Sequence, residues 1–206
     1  MACPIKDFHY LSLNLLRIFL SNSEKETIIK PEENISELLK RDLNKGFRLL
    51  VEKYSSKLYW HIRRLVILHE DADDALQNTF INAWRSITEF RNESALYTWL
   101  YKIATNEALT LINKRKKNSA VSIDDLGSYF ENSHEGSTWF DGDEAEAKLQ
   151  NAILQLPEKQ RIVFNLKYYD EMTYQDMSKV LDTSEGALKA SYHHAVKKIE
   201  KMLVEN

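Results

Sequence analysis

From Ile35 onward the apolar residues of this chain return every three or four positions: Leu39, Leu43, Phe47, Leu50, Val51, Tyr54, Leu58, Ile62 and Leu65 form the first such series. That spacing places them on one stripe of a helix, and so long a stripe must be covered by other helices. The period continues in later segments, whereas turn formers are scarce, with 5 Gly and 3 Pro in 206 residues. The pattern predicts an all-α chain whose first helical stretch begins at Ile35, with weak points only at Gly46 and at the pair Ser55 and Ser56.

A further helix is expected from Asp71 or Asp73 to about Ser86, because carboxylates favour a helix N-terminus. Its inward residues would be Ala72, Ala75, Leu76, Phe80, Ala83, Trp84 and Ile87. That leaves Asp74, Gln77, Asn78, Ile81 and Asn82 as an outward polar ribbon holding one apolar residue. A polar turn at 90–94 follows, with Ser94 as N-cap, and then a helix ending in four cations: FRNESALYTWLYKIATNEALTLINKRKK. Here Leu96, Leu100, Ile103, Ala104, Ala108 and Leu111 can face a core. Tyr97, Tyr101, Lys102, Thr105 and Asn106 would cluster outside. With Arg91 and Asn92 before them, Trp99 among them, and Lys114, Arg115, Lys116 and Lys117 behind, they suit a surface that stacks unpaired bases and holds phosphates.

The net charge of −3 conceals a strong asymmetry. Residues 35–117 carry fifteen lysines and arginines against ten acidic residues, while 118–147 carry eight acidic residues and neither lysine nor arginine. The second segment breaks the helical period and holds three glycines, so it is expected to be a flexible linker. Residues 8–20 are apolar, but Asn14 and Arg17 interrupt them and the run is too short to span a bilayer, so no membrane insertion is expected. The single cysteine, Cys3, excludes an internal disulfide framework and a Cys-based zinc cluster within one chain, and it suits a cytoplasmic setting.

The last segment holds TYQDMSKVLDTSEGALKASYHHAVKKIEKML, the pattern of a helix-turn-helix. Helices through Leu149–Leu156 and from about Glu158 to Tyr169 precede it, separated at Pro157. Thr173 can cap the first helix of the motif, with Asp176 in the capping-box position, and Tyr174, Met177, Val180 and Leu181 point inward. Asp182 occupies the turn, where positive φ is required and Asp is better tolerated than most residues. Ser184 caps the second helix, with Leu188, Tyr192, Ala195, Ile199 and Leu203 inward. Its other face, Glu185, Gly186, Lys189, Ala190, His193, His194 and Lys197, has the character of a recognition helix. His193 and His194 are adjacent and point apart, which makes them poor joint metal ligands.

The stretch at 90–117, together with DADDALQNTFINAW upstream and the helix-turn-helix, resembles the bacterial sigma-70 family, in its extracytoplasmic-function group. The resemblance implies a region 2-like domain at 35–117 and a region 4-like domain of four helices at 146–206. An acidic linker at 118–145 would join them, and 1–34 would be an N-terminal extension. It implies a sigma factor that joins core RNA polymerase through Asp74, Gln77, Asn78 and Ile81. The downstream promoter element would then meet Arg91, Asn92, Ser94, Tyr97, Trp99, Tyr101, Lys102, Asn106 and the basic end, Lys114 to Lys117. The upstream element would meet Ser184, Glu185, Lys189, Ala190, His193, His194 and Lys197. Ser191, His194 and Val196 stand where the family often has arginines. Promoter DNA and an anti-sigma factor are the other implied partners. With no Gly-rich phosphate loop, nucleophilic triad or metal cluster in the sequence, neither an enzyme, a cofactor nor a small-molecule substrate is expected. A free-standing helix-turn-helix regulator is the alternative.

Overall fold

The computed structural model describes residues 35–66, 68–90, 95–118 and 144–205. The N-terminal extension, the turn at 91–94 with Arg91, Asn92 and Ser94, and residues 119–143 of the expected linker lie outside the described residues.

Among the described residues the chain forms α1 (Ile35–Arg41), α2 (Leu43–Leu65), α3 (His69–Ser86), a 3-10 turn (Ile87–Glu89) and α4 (Leu96–Asn118). The C-terminal module then adds α5 (Glu144–Leu154), α6 (Glu158–Tyr168), α7 (Tyr174–Leu181) and α8 (Glu185–Glu205). The architecture is all-α.

The first expected helix is in fact two. Asp42 leaves helical geometry at φ −146°, and its side chain accepts from Lys45 N at 3.1 Å to cap α2. The break lets α1 fold back on α2, and Gly46 is what permits the approach. A Cβ there would stand 2.6 Å from Leu39 N and 2.7 Å from Leu39 Cα, both backbone atoms that cannot swing aside. Gly46→Ala is therefore expected to lower stability despite the ~1 kcal/mol by which alanine favours a helix, since overpacking costs about 1–3 kcal/mol. A chemical denaturation series checks this, and a variant as stable as the parent would contradict it.

The start of α3 also differs from expectation. The helix begins at His69, and its N-cap, Leu68, makes no side-chain capping bond. Asp71 is engaged elsewhere, accepting from Arg115 Nη2 at 2.7 Å, which ties the first turn of α3 to the basic end of α4. Tyr59 instead meets His69, hydroxyl to Nδ1, at 2.7 Å.

The stripes converge as their spacing dictates. Phe47, Leu50, Leu58, Ile62, Leu65, Ala72, Leu76, Phe80, Leu100 and Ala104 are buried together. Phe47 meets Phe80 edge-on at 6.4 Å and Trp84 at 4.9 Å. A second cluster, Ala152, Ile153, Leu156, Phe164, Ala195 and Ile199, holds α5, α6 and α8 together. Leu203, expected inside, is 39% exposed, while Met202 beside it packs against this second cluster. Ile162, Val163, Leu166, Met172, Met177 and Leu188 of the C-terminal module join the apolar cluster of α2–α4. The two sets of helices thus share one continuous interior.

Candidate nucleic-acid interface

The motif at the C-terminus folds as its capping residues require. Thr173 accepts from Asp176 N at 3.1 Å to start α7. The helix ends at Asp182 with φ 48° and ψ 42°, the left-handed geometry the turn demands. Ala187 N then donates to Ser184 Oγ at 3.4 Å and opens α8. Burial of Leu188, Ala195 and Ile199 fixes the rotation of α8 about its axis. That leaves Glu185, Gly186, Lys189, Ala190, His193, His194 and Lys197 exposed, and Ser184 is exposed at the tip. A Cβ added at Gly186 would meet nothing within 4 Å, so the tip is sterically open. Lys189 Nζ lies 3.8 Å from Glu185 and 5.5 Å from the centre of the Tyr174 ring. One ammonium donor, one carboxylate acceptor and one methyl on a single exposed face can discriminate base edges in a major groove.

On α3, Asp74, Gln77 and Asn78 are exposed and Ile81 is half-buried. Asn82 closes the ribbon by donating to Glu107 at 2.7 Å. Nothing in this ribbon is needed by the core, which takes Ala72, Ala75, Leu76, Thr79, Phe80 and Ala83 from the other side of the helix.

The outward face of α4 departs from expectation. Asn106 is exposed and Tyr97 and Lys102 are half-buried, but Tyr101 and Thr105 are buried, at 6% and 1% exposure. The C-terminal module packs on Tyr101, and Thr105 lies against His61 of α2. Asp170 receives the Tyr101 hydroxyl at 3.4 Å and Arg64 Nη1 at 3.3 Å. The guanidinium of Arg64 also sits 4.3 Å over the Tyr169 ring. Behind them His61 is fully buried, with Nδ1 2.8 Å from Asp170 Oδ2 and Nε2 2.9 Å from Thr105 Oγ1. Thr105 commits its own hydroxyl hydrogen to Tyr101 O at 2.7 Å, so both ring nitrogens of His61 face acceptors. Trp99 is half-buried and tilted against Phe90, with ring centres 5.2 Å apart.

One turn toward the N-terminus of α4, Tyr97 donates to Asp176 Oδ2, and Thr98 donates to Oδ1 of the same carboxylate at 3.3 Å. Asp176 is thereby drawn out of the expected capping box, in which it would have returned a bond to the Thr173 backbone. It accepts the Thr173 hydroxyl instead, at 2.6 Å. Burial works against its charge, but the hydrogen bonds from Thr173, Tyr97 and Thr98, with Lys179 nearby, outweigh it and hold its pKa below the usual carboxylate value. Burial, followed by the Asp176 hydrogen bond, raises the pKa of Tyr97 in turn. A depressed carboxylate pKa stabilises the packed form above about pH 4, and that contribution is lost as the pH falls through the lowered value. In Tyr97→Phe the Asp176 pKa is expected to move up toward the ordinary value, read by NMR titration of the side-chain carboxyl carbon. An unmoved titration would remove Tyr97 from the pair.

At the far end of α4, Lys114, Arg115, Lys116 and Lys117 are exposed. Arg115 reaches Asp71, as above, and Lys116 reaches Glu158 at the start of α6. The sequence-based reading missed the polar junction made by His61, Thr98, Asp170 and Asp176. A signal existed: His61 falls on the stripe of Leu58, Ile62 and Leu65, and a polar residue inside an apolar stripe implies a buried partner. Among the described residues, no group of three or more His, Cys, Asp or Glu could hold a metal ion, and no helix is long and apolar enough to cross a membrane.

The chain matches the family description "Sigma-70 region 2" over residues 50–118 and "Sigma-70, region 4" over 146–199. It is 33% identical over 181 residues to the RNA polymerase sigma-H factor of Pseudomonas aeruginosa, covering 84% of this chain and 93% of that protein. It is 29% identical over 192 residues to the ECF RNA polymerase sigma factor SigW of Bacillus subtilis, covering 86% and 98%. Its fold is similar to that of the sigma factor RpoE of Bartonella quintana, solved with the anti-sigma factor NepR. That similarity has a TM-score of 0.62 at 21% identity and covers 77% of this chain and 97% of the other.

Proposed function

The chain belongs to the extracytoplasmic-function group of the sigma-70 family and is a sigma factor acting in transcription initiation, and on that premise we propose how its surfaces divide the task. Core RNA polymerase and promoter DNA are its partners. The ribbon of Asp74, Gln77, Asn78 and Ile81 docks on the polymerase. The N-terminal part of α4, with the turn at 91–94 before it and the cations of Lys114 to Lys117 after it, takes the downstream element and the strand that is opened there. The exposed face of α8 reads the upstream element through the major groove.

The division follows the expected units, 35–117 for polymerase binding and the downstream element and 146–206 for the upstream element, with 118–145 as the linker between them. The observation that carries it is the helix pair α7 and α8. Their left-handed turn at Asp182 and the buried Leu188, Ala195 and Ile199 leave an uninterrupted exposed face of residues able to contact bases and phosphates. The chain works without catalysis of its own and in the cytoplasm, and an anti-sigma factor holds it inactive, as suits a chain whose fold resembles that of a sigma factor solved with its inhibitor. Co-purification with core polymerase tests the proposal. A sigma factor assembles into a stoichiometric holoenzyme, whereas a free-standing regulator with the same helix-turn-helix elutes apart from polymerase while still binding DNA.

A further inference from the structure

A cavity of about 490 Å³ opens where α2, the start of α4 and the loop after α6 meet. That volume lies within the roughly 300–1,000 Å³ of small-molecule sites. Its two ends differ in charge. At one end Lys53 and Lys57 stand one turn apart on α2 with Ser56 between them, and neither lysine forms an ion pair among the described residues. Like charges at that spacing repel, so the pair favours a bound anion. At the other end Arg64 is already engaged, bonded to Asp170 at 3.3 Å and lying 4.3 Å over the Tyr169 ring. The exposed carboxylate of Glu171 lines the cavity beside them.

Between the ends the walls are aromatic. Tyr54 and Trp60 come from α2, Tyr97 from α4 and Tyr169 from the loop, and Trp60 is 41% exposed. The loop itself holds Glu171 at φ 51°, while Met172 N donates to Leu166 O at 3.0 Å. Glycine would take this turn without strain, so a side chain is kept here against the backbone preference, and such outliers gather at ligand sites.

We propose that this cavity binds a free guanine nucleotide, with the phosphates on Lys53, Lys57 and Ser56, the base stacked on Trp60, and the N–H edge of the base on Glu171. Ammonium groups hold phosphate oxygens, and aromatic rings stack on bases. Lys57 and Arg64 are seven residues apart, about 10 Å along the helix, which is the reach of one nucleotide rather than of a strand. Asp170 and Glu171 close the far end and would repel the next phosphate of a longer chain. Guanine presents two adjacent N–H donors, which suit a carboxylate, whereas adenine turns a ring-nitrogen acceptor toward it. The interior shared by the two sets of helices fixes the walls relative to one another, so the site is formed before the ligand arrives. A nucleotide seated there touches both modules and stabilises their packing. The site lies apart from the surfaces of α3 and α8 assigned above to polymerase and to upstream DNA, and the inference does not rest on those assignments.

Calorimetric titration of the full chain tests it, with GDP, ADP, guanosine, pyrophosphate and a single-stranded pentanucleotide holding one central guanine as probes, all without divalent cations. The parent is expected to bind GDP at least about tenfold more tightly than either guanosine or pyrophosphate, because each supplies only one half of the contact. Lys57→Ala and Trp60→Leu should each weaken GDP binding about fivefold or more, through a lost charged contact and a lost stack. Glu171→Gln should remove the preference for GDP over ADP. The control Lys40→Ala/Arg85→Ala removes two exposed cations away from the cavity and should bind GDP as the parent does. Lys57 and Trp60 are exposed, and melting curves without ligand confirm that their variants fold. GDP bound no more tightly than pyrophosphate would reduce the cavity to surface lysines and overturn the proposal. GDP affinity unchanged in both variants would place the nucleotide elsewhere and also overturn it. A pentanucleotide that binds through Trp60 while GDP does not would make the groove part of a strand path instead.

Discussion

With Asp74→Lys the chain is expected to assemble with core RNA polymerase at least about 30-fold more weakly, since a reversed charge at an interface built around a carboxylate costs roughly 2–5 kcal/mol. The carboxylate lies on the exposed ribbon of α3, opposite the face that packs Ala75, Leu76 and Phe80. Folding should therefore be untouched, because surface substitutions away from caps and cores usually stay within about 0.5 kcal/mol. A competition for core polymerase against the parent chain, followed by gel filtration, measures the difference. Equal competition by a variant of unchanged melting temperature would take the ribbon out of the interface.

Lys189→Ala is expected to weaken recognition of an upstream-element duplex by about 1–3 kcal/mol. The ammonium is exposed on α8, within 3.8 Å of Glu185 and above the Tyr174 ring, positions from which it can extend into a groove. The pattern of the loss identifies the contact. If Lys189 reaches a guanine edge, the preference for that base disappears. If it reaches a phosphate, all sequences weaken alike and the salt dependence flattens by about one unit of slope. A variant with unaltered affinity and unaltered preference would move the recognition surface away from this face of α8.

The helices and the helix-turn-helix were legible because periodicity and capping are local properties. Thr173, Ser184 and the left-handed Asp182 each act within four residues of their own position, and each does in the fold what its chemistry predicts. The break at Asp42 was not legible from the apolar stripe, which runs through it unbroken. What sets it is the approach of Leu39 to Gly46, a contact between two helices. The burial of Tyr101 and Thr105 was hidden for the same reason. Their spacing sets them apart from the stripe of Leu96, Leu100 and Ile103, but Tyr101 is covered by Asp170 from far along the chain and Thr105 lies against His61 of α2. Asp170 and Asp176 carry no local mark of a long-range role, whereas His61 does, as a polar residue on an apolar stripe.

On the proposed division, this chain directs core polymerase to promoters through surfaces on α3, α4 and α8. Transcription reconstituted from the purified chain and core RNA polymerase on a set of candidate promoter fragments tests it most directly. Transcripts are expected to start at defined positions, to appear only when the chain is added, and to fall away with Asp74→Lys and with Lys189→Ala. Equal transcription by core polymerase with and without the chain, on promoter fragments to which the chain itself binds, would contradict it.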